Sequence, residues 1–172
     1  MSRVRWVRAI AAFAVIAAVS ACSPTMNWRK APLGAVAFNL PCKPDSATRN
    51  QQIGDKTLSL DIMGCEAGDA LFAISQVAVP DEAAARDIQS AWQQQALRSM
   101  RAATPEAAPW TSPSWGKSAI SIQAMGVDPQ GSPIQARLSW FVHEQRLYHL
   151  AVYGPKISPE WALTFLEDIS LL

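Results

Sequence analysis

The sequence predicts an α+β domain, an antiparallel sheet of about six strands with helices packed on it. Three observations predict it. Apolar residues alternate with polar ones in several short runs, the mark of half-buried strands. Two segments carry helix-start signals followed by apolar residues at helical spacing. Most of the strand runs are joined by short links, which favours antiparallel neighbours. The order read along the chain is β-β-β-α-β-β-β-α.

The elements follow in turn. Residues 35–40 place Val36, Phe38 and Leu40 on one face, and Pro41-Cys42-Lys43-Pro44 ends the run. Residues 45–54 are polar and read as loop. Residues 57–63 alternate with Leu58, Leu60 and Ile62 inward, and 64–69 form a turn cluster. Residues 70–79 are apolar on both faces, as a strand covered on both sides would be. Pro80-Asp81-Glu82 opens a helix to about Ala103, rich in strong helix formers, with Ala85, Ile88, Trp92, Ala96 and Met100 as its buried stripe. Pro105, Pro109 and Pro113 make 104–114 a long loop.

Residues 118–125 form the next strand. Residues 135–142 and 146–153 form a hairpin around His143-Glu144-Gln145. Ser158-Pro159-Glu160 starts the closing helix, with Trp161, Phe165 and Ile169 inward.

The first residues are of another kind. Arg3, Arg5 and Arg8 precede an uncharged apolar run, 9–19, and small residues follow. This is the plan of a secretory signal peptide. The run is too short for a membrane span, which needs about 20 residues. Val19-Ser20-Ala21-Cys22 resembles the bacterial lipobox. That resemblance implies cleavage before Cys22, a diacylglyceryl thioether on its sulfur and acylation of its amine. Two or more acyl chains are what stable anchoring takes. Ser23, where an Asp often retains lipoproteins in the inner membrane, favours the periplasmic face of the outer membrane. The expected organisation is therefore a lipoprotein signal peptide at 1–21, a lipidated tether at 22–32 and a single domain at 33–172. Trp28, in the tether, has two places to go: the domain surface or the lipid headgroups.

Residues 22–172 hold 12 basic and 14 acidic side chains, scattered, a formal net charge of −2. Nothing in that pattern offers an electrostatic footprint for nucleic acid or a polybasic patch for lipid. Export places Cys42 and Cys65 in an oxidising compartment, where a pair without a C-x-x-C spacing reads as a disulfide.

Three segments resemble the PsbP-like domain, named after an extrinsic subunit of photosystem II. They are Ala37-Phe38-Asn39-Leu40-Pro41, Ala70-Leu71-Phe72-Ala73-Ile74, and Arg146-Leu147-Tyr148-His149-Leu150 with Gly154-Pro155 and Phe165-Leu166. The resemblance covers roughly 33–172. It implies an α/β/α sandwich, no shared chemistry, and a role as accessory or assembly factor for membrane complexes. Related hairpins often carry Gly where Glu144-Gln145 stand, which argues against a tight two-residue type I′ turn.

No nucleophile, metal or phosphate motif stands out. A hairpin centred on Glu144-Gln145 pairs His149 with Trp140 and points His143 to the other face, so a two-His metal site is not expected. Asp61, Glu66 and Asp69 read as solvated turn residues. Trp92, Trp140 and Trp161 read as core. Trp110 and Trp115, among prolines, are candidates for an exposed interaction surface, together with the Cys42–Cys65 end. The expected function is a non-catalytic, lipid-anchored interaction or assembly module for an envelope complex, without cofactor or metal. The alternative is a small-molecule or lipid-binding domain with a pocket between sheet and helix.

Overall fold

The computed structural model describes residues 25–102, 104–108 and 119–172. Cys22, Trp110 and Trp115 lie outside these residues. The chain runs β1 (Arg29–Leu33), β2 (Val36–Leu40), β3 (Asp45–Ile53), β4 (Lys56–Ala67), β5 (Ala70–Ala78), α1 (Glu82–Ser99), β6 (Glu106–Ala107), β7 (Ile120–Val127), β8 (Pro133–His143), β9 (Arg146–Gly154), α2 (Pro159–Glu167) and β10 (Ile169–Leu171).

The architecture corrects the expected fold class. The described chain is mainly β, with 53% of it in strands and 20% in helices. There are two antiparallel sheets where one of about six strands was expected. Seven strands lie in the order β3-β4-β5-β9-β8-β7-β6, and three in the order β1-β2-β10. The chain is therefore better described by its two sheets than as an α/β/α sandwich. Residues read as tether (29–32), loop (45–53 and 106–107) and closing helix (169–171) are strands instead.

The period of two in the central strands builds two cores, one on each face of the large sheet. On one face Leu60, Val77, Leu138, Trp140 and Leu147 pack against Ile88, Trp92 and Ala96 of α1. On the other, Phe72, Ile74, Phe141, Tyr148 and Leu150 pack against Val36, Phe38 and Leu40 of β2 and Phe165 of α2. The expected stripe of α1 is buried from Ala85 to Met100. The helix is capped by Asp81, whose side chain accepts from the Ala84 amide at 2.8 Å. Pro159 opens α2 at its first turn.

The β8–β9 hairpin turns through Glu144 and Gln145 with φ of 46° and 57°. This is the left-handed pair of a type I′ turn, and it forms without glycine. Eighteen paired residues hold the turn in place, from His143↔Arg146 to Gln135↔Gly154, and the Gln145 carbonyl accepts from the Val79 amide at 2.8 Å. Pairing on that scale outweighs the local cost of left-handed backbone, roughly 1–2 kcal/mol per residue. Replacing Glu144-Gln145 by Asn-Gly is therefore expected to stabilise the domain by about 1 kcal/mol. A urea titration of the two proteins checks it.

Candidate functional site

Antiparallel strands put alternate turns at the same end of a sheet. The β4–β5 turn at Gly68-Asp69, the β7–β8 turn at Asp128-Pro129 and the exit of β9 at Gly154-Pro155 therefore meet, with the C-terminal end of α1 beside them. Together they enclose an open cleft of about 910 Å³, walled by Leu71, Met100, Ile134 and Tyr153. Glu66, Asp69 and Asp128 supply its charge, and among the described residues no lysine or arginine lines it. Burial pushes the Tyr153 phenol up to about 12, so it enters this wall as a neutral group.

The same end is stapled. Cys42, in the link from β2 to β3, is bonded to Cys65 of β4, with Cα atoms 5.9 Å apart. The residue after Cys65 is Glu66, at the cleft rim. The disulfide therefore ties the small sheet's exit to the hairpin that forms one wall.

The N-terminal residues also dock here, which decides the placement of Trp28. Its ring meets Phe72 edge-on at a centroid distance of 6.3 Å. The Asn27 amide donates to the Pro41 carbonyl at 2.7 Å. Met26 packs with Trp161 over Gly68: a Cβ on that glycine, whose φ is +57°, would come within 2.8 Å of the Met26 methyl and 2.6 Å of the Trp161 ring. The hairpin tip needs glycine for both conformation and space.

The remaining polar residues have structural placements. Asp61 accepts from Thr48 at 2.8 Å and from Gln76 at 3.1 Å, on the strands and away from the turn that carries Glu66 and Asp69. No group of three or more His, Cys, Asp or Glu able to hold a metal occurs among the described residues. His149 pairs with Trp140 across β8–β9 and stacks on it at 4.6 Å and 17°, with Trp92 of α1 closing the other side at 4.8 Å. Burial lowers its pKa to about 3, so it is a neutral ring in the core. His143, by contrast, sits next to the exposed tip, 3.9 Å from the Glu144 carboxylate. Trp92 and Trp140 are buried, and Trp161 is half-buried beside Gly68. Trp92, Trp140 and His149 pack together between α1 and the sheet, and the larger cleft opens beyond them at the C-terminal end of α1.

A smaller cleft, about 450 Å³, lies along β6, β7 and β8, where Gln123 donates to Glu106 at 2.8 Å and Arg137 is partly desolvated. Neither cleft has a local sequence signature. The turn cluster at 64–69, combined with an up-and-down strand order, is the visible feature that could have located the larger one. Among the described residues no helix is long and apolar enough to cross a membrane. Compared with known proteins, the chain matches no family model and no curated sequence.

Proposed function

We propose that this chain is a lipoprotein of the bacterial envelope, anchored through acylated Cys22 at the periplasmic face of the outer membrane, and that it holds a protein partner without catalysing a reaction. The observation that carries this reading is a shared hairpin. Gly68 lines the acidic cleft, and Met26, four residues after Cys22 in the chain, packs against it. The recognition surface and the anchor point are thus built on one element. Carboxylates from the β4–β5 hairpin and the β7–β8 turn, with no base among the described lining residues, suit a partner segment bearing lysine or arginine. The PsbP-like resemblance of residues 37–41, 70–74 and 146–150 supports an accessory role of the same kind.

Two measurements test it. Labelling with palmitate should mark the wild type and not Cys22→Ser, and the variant should leave the membrane fraction. Cross-linking in intact envelopes should recover a reproducible partner with the wild type, and several-fold less of it with Glu66→Lys, whose exposed side chain can be replaced without disturbing the core. Recovery unchanged by Glu66→Lys and by a Trp110–Trp115 loop deletion would defeat the interaction reading. The volume of the larger cleft also lies in the range of small-ligand sites, roughly 300–1,000 Å³. A small cationic amphiphile is the second reading; native mass spectrometry of protein taken from membranes would show it as a bound mass.

A further inference from the structure

We infer that the domain is held close against the lipid surface by its β4–β5 end, with the cleft rim facing the bilayer, and does not swing on a flexible leash. This rests on the lipid anchor proposed above. The residues that would make a leash are already committed. Asn27 is hydrogen-bonded to Pro41, Trp28 is packed on Phe72, and Met26 is packed on Gly68 and Trp161. Beyond them β1 is paired along its whole length, from Arg29↔Leu40 to Leu33↔Val36. Only residues 23–25 remain between the docked Met26 and Cys22. Four residue steps span at most about 14 Å when fully extended. The opposite end of the sheet, marked by the β3–β4 turn at Asp55, lies a full strand away: β4 has 12 residues, about 36 Å at the rise of a strand.

Leash length sets this orientation more than charge does. Arg29, Lys43 and Lys156 are exposed at or near the same end as Glu66, Asp69 and Glu160. The half-buried rings of Trp28 and Trp161 there have the amphipathic character that suits the headgroup layer. A partner reaching the cleft would therefore present a segment lying at the membrane surface.

The test uses full-length lipidated protein in vesicles of zwitterionic phospholipid containing a short-range headgroup quencher. One fluorophore is placed at Glu160→Cys, exposed beside Trp161, and in a separate protein at Asp55→Cys. Flotation is scored first. A protein that does not float with vesicles, or floats equally well as Cys22→Ser, overturns the anchor and this inference with it. When flotation depends on Cys22, the Glu160 site should be quenched several-fold more than the Asp55 site. Equal quenching at both sites would leave the anchor standing and overturn the orientation. A Gly/Ser insertion after Ser23 should keep flotation and abolish the difference; a difference that survives a long insertion also overturns it. Circular dichroism of each variant confirms folding before the comparison.

Discussion

Removing the Cys42–Cys65 bond, by reduction or by Cys42→Ala with Cys65→Ala, is expected to lower stability by about 3 kcal/mol. The two residues are 23 apart, and the chain-entropy cost of leaving a loop of that size open has this magnitude. Its position adds to the case. Cys42 sits where the chain leaves the small sheet for the large one, and Cys65 is buried in the core between them. Opening the bond therefore frees one sheet's exit from the other and loosens the cleft wall at Glu66. Thermal unfolding with and without reductant should show a drop on the order of 10 °C. A drop below about 3 °C would mean that packing alone fixes this end. Because Glu66 follows Cys65 directly, recovery of the cross-linked partner should fall with the same treatment.

What the sequence showed and what it hid divide along one physical line. The strands visible as alternating or apolar runs, β2, β4, β5, β7, β8 and β9, have a face buried in a core. The four that were missed, β1, β3, β6 and β10, are the four edges of the two sheets. An edge strand is under pressure to be polar, short or interrupted, since its free side must not recruit another chain. β3 is exposed along nearly its whole length apart from Ile53. β1 carries Pro32, tolerable because only one side of the strand is paired. β6 has two residues and β10 three. Their order comes from backbone pairing to a neighbour, such as Ile169↔Phe38, and periodicity cannot show that. This is why one sheet of about six strands was expected and, among the described residues, two sheets with ten strands were found.

The same line separates the readable side chains from the unreadable site. His149 opposite Trp140 followed from counting back from Glu144-Gln145, because hairpin register is local. The five-residue stripe of α1 followed from helical spacing. The cleft could not be counted out in this way. Gly68, Asp128 and Gly154 are far apart in sequence, and they meet only because the strands between them alternate in direction. The turn at Glu144-Gln145 shows the opposite failure: the residue preference of the turn argued against it, and the long ladder between β8 and β9 overrode it.

Acid should unfold this domain through His149, and the effect should be large. The imidazole is neutral in the fold, held to a pKa of about 3 between two indoles, while in the unfolded chain it titrates near 6.5. Between those values the unfolded state binds a proton that the folded state refuses, so stability falls as pH falls, by up to about 1.4 kcal/mol per pH unit. This contribution is fully present above about 6.5 and has lost roughly 2–3 kcal/mol by pH 4.5. Its Nε2 and the Trp140 Nε1 have no hydrogen-bond partner among the described residues, so a proton added at Nε2 would meet no acceptor there. His149→Phe keeps an aromatic ring between the indoles and removes the titration. Urea midpoints measured from pH 7 to pH 4.5 should slope downward in the wild type and be much flatter in His149→Phe, with the two curves converging toward pH 7. Parallel slopes would place the acid sensitivity in the carboxylates instead and show that His149 is not held neutral by its burial.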